Sequence, residues 1–130
     1  MPIRKNYEEE NLIMIFSVGN NISSLSAHAT KLAVTANNVA NVDTEGFKKS
    51  RAVLQEGPNG AVQVQIDQIN TPGPLIQEDG ADQYTAVEMS NVDLSEEIPQ
   101  TILTRTGYEA NLPVIKTADE MLGSLLDILA

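Results

Sequence analysis

Apolar residues at Ile15, Val18, Ile22, Leu25, Ala29, Leu32, Ala36 and Val39 alternate spacings of three and four without a break. Only an α-helix returns such a pattern to one side, so this part of the chain is committed to a heptad seam. The intervening positions are mostly Asn, Ser, Thr, His and Lys, which makes the opposite face small and polar, with Lys31 its only charge. The spacing predicts a helix over about 20–39. Several seam residues are alanine, which lets a partner helix approach closely but buries too little area to hold an isolated helix in water. The helix needs neighbours.

A second seam lies at the other end, at Ile115, Ala118, Leu122, Leu125 and Leu129. Ahead of it, Asp93 can cap a helix, Glu96 stands in the capping-box position, and Glu96 with Glu97 suits the positive end of the helix dipole. Two matching seams in one short chain are most simply explained as an intramolecular antiparallel pair. Seams that reach the last residues can also serve neighbouring subunits.

Between the seams the pattern changes. The first helix should end in Asn37, Asn38 and Asn41, whose side chains compete for backbone hydrogen bonds. Asp43-Thr44-Glu45-Gly46 reads as a turn in which Gly46 takes positive φ, and the basic cluster Lys48, Lys49 and Arg51 follows. Residues 56–60 form a second turn, Val62, Val64 and Ile66 alternate with polar residues, Thr71-Pro72-Gly73-Pro74 breaks the run, and residues 84–89 alternate again. Two or three short strands are expected here, too few to be stable without packing on the helices.

Composition closes several routes. The 130 residues contain no cysteine, so neither a disulfide framework nor a thiolate metal site can hold the fold. A formal charge of −10 opposes binding to nucleic acid. With an aromatic content of only 4% and no Trp, the weight falls on Leu, Ile, Val and Ala, which favours helices over a barrel. No apolar run reaches the roughly 18–20 residues of a membrane span, and residues 12–16 follow three glutamates rather than a basic stretch, unlike a cleaved leader. Residues 1–14, which end at a second possible start, Met14, read as a disordered extension or an upstream mis-start.

Two blocks carry a resemblance. The first is Ser24-Leu25-Ser26-Ala27 through Ala36-Asn37-Asn38-Val39-Ala40-Asn41 to Thr44-Glu45-Gly46-Phe47-Lys48. The second is Ser90-Asn91-Val92-Asp93-Leu94 through Tyr108-Glu109-Ala110-Asn111 to Ile115-Lys116-Thr117-Ala118-Asp119-Glu120-Met121. They resemble the N- and C-terminal signatures of the rod and hook proteins of the bacterial flagellum, and cover a little over half the chain. The short middle is most like that of a proximal rod protein. The resemblance implies export without a cleaved signal through the flagellar type III apparatus, polymerisation into a periplasm-spanning tube with copies of itself and other rod and hook proteins, no cofactor, and no membrane insertion. Pro99, Gly107 and Pro113 depart from the helix formers of relatives. An interior proline loses a hydrogen bond and clashes with the preceding turn, at about 3 kcal/mol, so the C-terminal helix is expected to be kinked or interrupted near Leu112, giving two rods rather than one.

The chain is therefore read as mainly α. N- and C-terminal helices form a coiled-coil-like hairpin with a small β-rich insert: extension 1–14, helix and turn 15–46, insert 47–90 and C-terminal helical segment 91–130. The expected subunit interface comprises Ile22, Leu25, Ala29, Leu32, Ala36, Asn37, Asn38, Asn41, Tyr108, Asn111, Ile115, Ala118, Leu122, Leu125 and Leu129. Lys48, Lys49 and Arg51 are expected to face the acidic C-terminal surface of a neighbouring copy. His28, the only histidine, has no convergent partners for catalysis or metal and is read as a solvated or interface residue on the polar face. An enzyme is not expected. An export or assembly adaptor, or a coiled-coil binding module, is the alternative to a rod subunit.

Overall fold

The computed structural model describes residues 3–79 and 84–129, excepting the side chains of 3–15, 79, 84, 125, 126, 128 and 129. Helix α1 (Ile3–Ala40) leads into a hairpin of β1 (Ser50–Glu56) and β2 (Val62–Gln68). A second hairpin, β3 (Leu75–Asp79) with β4 (Tyr84–Glu88), precedes helix α2 (Leu94–Leu129). The protein is thus mainly α, with an insert of two separate two-stranded antiparallel sheets. The register runs from Ser50↔Gln68 to Glu56↔Val62 in the first and from Leu75↔Glu88 to Asp79↔Tyr84 in the second.

Three expectations need correction. Helix α1 begins at Ile3 rather than near residue 20, so the stretch 3–14, read as a disordered extension or an upstream mis-start, is helical rather than disordered, while Met1 and Pro2 lie outside the described residues. From Ile3 to Val18 the sequence has no proline or glycine and carries the helix formers Arg4, Lys5, Glu8, Glu9, Glu10, Leu12 and Met14, so nothing in it stops a helix propagating. Helix α2 runs through Pro99 and Pro113 without interruption. Both prolines, and Glu109 one turn before Pro113, are exposed, so water can take up the carbonyls that lose their partners. Finally, the insert has four strands, because β3 pairs with β4 although Leu75-Ile76-Gln77-Glu78-Asp79 lacks alternation.

The helix ends follow local chemistry. At the end of α1, Asn41 Nδ2 donates to Asn37 O at 2.8 Å and Asn41 N to Asn38 O at 3.0 Å, and Gly46 then turns the chain at φ +64°. At the start of α2, Asp93 Oδ1 accepts from Ser95 N at 2.8 Å and Ser95 Oγ at 2.6 Å. Glu96 does not close a capping box; its carboxylate accepts from Lys49 Nζ at 2.6 Å.

The helices lie antiparallel. Asn111 Nδ2 donates to Ser24 Oγ at 3.0 Å, and one turn earlier on α2 Gly107 meets the ring of His28, one turn later on α1. A Cβ on Gly107 would stand 2.7 Å from His28 Cε1, so the glycine that departs from the expected helix formers is what admits the imidazole between the helices. His28 is half-buried rather than solvated, and its buried Nδ1 has no hydrogen-bond partner among the described residues.

The interior is small and polar. Among the described residues, the buried ones are Ala27, Ala52, Thr35, Asn38, Ser90, Glu97 and Thr104. No large aliphatic side chain joins them; Ile22, Ile98, Ile102, Leu103 and Leu75 are all more than half exposed.

Glycine-to-alanine substitution inside a helix ordinarily stabilises by roughly 0.5–1 kcal/mol, but at Gly107 the sign should invert. Gly107→Ala is expected to lower stability by about 1–2 kcal/mol in urea unfolding. In a His28→Ala background the same change should stabilise; equal effects in both backgrounds would contradict the packing.

Candidate assembly surfaces

Two sets of side chains matter for what this fold can do: those that fasten its helices and hairpins together, and those left over. The fastening centres on Asn91, in the segment just before α2. Its Nδ2 donates to Ile69 O at 2.7 Å and Thr71 O at 3.0 Å, and its Oδ1 accepts from Lys49 N at 2.7 Å, so one amide joins the exit of β2 to the entry of β1. Glu88, at the end of β4, accepts from Lys48 Nζ and from Gly73 N at 2.8 Å, while its carbonyl accepts from Gly46 N at 2.8 Å. Asn38, 1% exposed, donates from Nδ2 to Ser50 O at 2.8 Å and accepts at Oδ1 from Ser50 N at 2.9 Å. It imitates a neighbouring strand at the first residue of β1.

The electrostatics follow this knot. The hydrogen bond from Lys48, reinforced by Gly73 N–H, holds the Glu88 carboxyl below its ordinary range. Ser95 does the same for Asp93, first through its hydroxyl and then its backbone N–H, and Glu109 raises the affinity of Arg105 for its proton. Lys48 and Lys49 thus find acids, Glu88 and Glu96, within their own chain, which corrects the expectation that they face a neighbour. Arg51 is exposed and forms no ion pair among the described residues.

The expected interface residues divide into two groups. On α2, Tyr108, Asn111, Ile115, Ala118 and Leu122 are half-buried, on the side that meets α1; the side chains of Leu125 and Leu129 lie outside the described residues. On α1 the seam points the other way. Two positions along a helix differ by about 200°. Ile22, Ala29 and Ala36 each stand two positions from Ser24, Ala27 and Asn38, the residues turned toward the rest of the chain. Ile22 is 54% exposed, and Ala29 and Ala36 are exposed as well, whereas Leu25 and Leu32 are half-buried at the flank. The two seams therefore do not face each other. Asn37 is exposed and Asn41 half-buried, so both remain at the surface, but Asn38 is fully engaged inside and leaves the interface set.

Sequence reasoning missed Asn91, Glu88 and the internal role of Asn38. Their partners are backbone groups brought up by the hairpins, which no spacing encodes. Among the described residues, no three His, Asp or Glu side chains converge as metal ligands, and no helix is long and apolar enough to cross a membrane.

Comparison with known proteins bears on these surfaces. Residues 19–48 match the family described as flagella basal body rod protein, and residues 84–128 match the C-terminal region described for the flagellar basal body rod FlgEFG proteins. Over 127 residues the chain is 31% identical to the flagellar basal-body rod protein FlgC of Yersinia enterocolitica, covering 86% of this chain and 93% of that one. It is 28% identical over 126 residues to FlgC of Salmonella typhimurium, covering 85% and 92%. FlgG of Bacillus subtilis, a flagellar basal-body rod protein, is 33% identical over 95 residues, covering 73% of this chain but 33% of its own length.

Asn38→Ala leaves both main-chain groups of Ser50 unpaired and is expected to lower unfolding free energy by roughly 1–3 kcal/mol, while Asn37→Ala should stay within about 0.5 kcal/mol. Because the folded-state pKa of Glu88 is depressed, its contribution is complete above the unfolded value and is lost as pH falls through the folded one. Glu88→Gln should therefore flatten the acid limb of stability against pH below about pH 5; an unchanged limb in urea titrations would contradict the Lys48 pairing.

Proposed function

The chain belongs to the flagellar basal-body rod protein family, a family of structural proteins of the basal body, and from that membership we propose that it polymerises through its terminal helices into a helical tube. The observation that supports this reading most is the α1 seam, Ile22, Ala29 and Ala36, left open on the side away from its own α2. A surface that repeats without closing builds a filament rather than a closed ring, and distinct patches on two helices of one chain supply such a contact.

In this reading the seams of 15–46 and 91–130 are completed as coiled-coil packing by neighbouring copies and by other rod and hook proteins, and 47–90 sets their spacing. The interface uses Ile22, Leu25, Ala29, Leu32, Ala36, Asn37 and Asn41 on α1; on α2, where Tyr108, Asn111, Ile115, Ala118 and Leu122 lie half-buried on the side of the chain's own α1, a neighbour meets their exposed rims together with Leu125 and Leu129. The flagellar export apparatus delivers the chain unfolded, a route that suits a fold without disulfides and with few large buried side chains. Its site is the periplasm-spanning part of the basal body.

At rising concentration the purified chain is expected to form filaments or high-order oligomers visible by electron microscopy. Ile22→Asp with Ala29→Asp should abolish them while leaving the helical circular dichroism of the dilute protein unchanged. In cells lacking the chain, isolated basal bodies should carry rods stalled at one height; complete rods would refute the assignment.

A further inference from the structure

Four strands in two separate sheets leave four edges, and two of them are complementary. In the first hairpin, Ile69 N donates to Lys49 O and Gly57 N to Ala61 O. By the alternation of an antiparallel ladder, Arg51, Val53 and Gln55 then turn their main-chain groups toward β2, while Ser50, Ala52 and Leu54 turn theirs away. Asn38 satisfies Ser50. The outward groups of Ala52 and Leu54 have no partner among the described residues, although Ala52 is only 7% exposed. They border a groove of about 680 Å³ between α1, β1 and the start of α2. Lys31 and Arg51 line it without an ion pair among the described residues, together with Glu97, which is 8% exposed and whose carboxylate has no hydrogen-bond partner among them.

The second hairpin carries the counterpart. Met89 N donates to Pro74 O, so Ile76 and Glu78 bond across to β4 while Leu75 and Gln77 turn their main-chain groups outward. The β4 edge is covered at its end by the bond from Gly46 N to Glu88 O, whereas the outer edge of β3 has no main-chain partner among the described residues. Leu75 is 71% and Ile76 41% exposed, and β3 carries Glu78 and Asp79 and no cation. A two-stranded hairpin is marginal in water, and an uncovered edge is a template for pairing.

We infer that β3 of one copy adds to the open edge of β1 in a second copy, entering the groove between its α1 and α2. Leu75 and Gln77 there meet the main chain of Ala52 and Leu54, and Glu78 faces Arg51 and Lys31. Strand addition of this kind takes affinity from main-chain hydrogen bonds and selectivity from the side chains beside them, here an acidic strand in a groove with two unpaired cations. The N–H groups of the incoming edge also offer donors to Glu97. The inference deepens the rod reading and rests on it for the identity of the occupant.

Because the chain has no cysteine, single introduced thiols report the contact without background. Leu54→Cys and Gln77→Cys, both at exposed positions, are prepared separately, mixed at a concentration where the protein assembles, and treated with a short bis-maleimide. A two-chain band is expected from the mixture well above that from either variant alone and above that from Gln63→Cys mixed with Gln77→Cys. Arg51→Glu in the Leu54→Cys partner should remove most of the band, and Glu78→Lys in the other partner should bring it back. A mixed yield no greater than the Gln63→Cys control overturns strand addition. Electron microscopy of the same samples separates the two ideas: filaments without the band overturn strand addition alone, the band without filaments keeps it and removes the tube, and neither product overturns both.

Discussion

Hydrogen bonds from a few amide and carboxylate side chains fasten the end of α1, the two hairpins and the segment before α2 to one another, and the rest of the fold is arranged around them. Asn91 joins β1 to β2, Asn38 closes the first residue of β1 onto α1, and Glu88 gathers Lys48, Gly73 and Gly46. None of these contacts removes much apolar surface from water. These directional polar contacts fix the arrangement, while among the described residues the fully buried apolar side chains are Ala27 and Ala52 and the larger ones are half-buried or exposed.

That division explains the shape of the protein. Helices this long, contacting one another through Ser24, His28, Gly107 and Asn111, can approach closely because the side chains between them are small or slotted into a glycine. The larger apolar side chains are displaced to the outside, where they wait for another surface. Charge sets the conditions of that meeting. At −10 the copies repel one another at long range, so contacts between them must combine apolar area with local pairing of opposite charge, and salt should ease the approach by screening the repulsion.

Much of this was legible in the sequence, but not all of it for the reasons that made it legible. The three-four spacing identified α1, and Asn37, Asn38 and Asn41 marked its end, because both signals are local. The same spacing pointed to a pairing of the two seams within the chain, and the structure turns the α1 seam outward; periodicity says which residues share a face, not what that face meets. Pro99 and Pro113 argued for a kinked or interrupted α2, and the interruption is absent because exposure lets water replace the lost partners. Lys49 has its acidic partner, Glu96, in the C-terminal segment and Lys48 has Glu88 at the end of the insert, both within the same chain. Strand β3 was invisible because its stability comes from pairing with β4 rather than from alternation. Gly107, read as a departure, is explained only by the histidine opposite it, and such a match between distant positions is not encoded in spacing.

The central claim is that the apolar side of α1 is open in the single chain and covered in the assembly. The most direct measurement is the maleimide reactivity of a lone thiol at position 29 compared with one at position 27, in dilute protein and after assembly. Ala29→Cys is expected to react rapidly when dilute and to become protected on assembly, while Ala27→Cys is slow in both. Ala29→Cys protected in the dilute chain, or equally reactive in the assembled one, would contradict the claim.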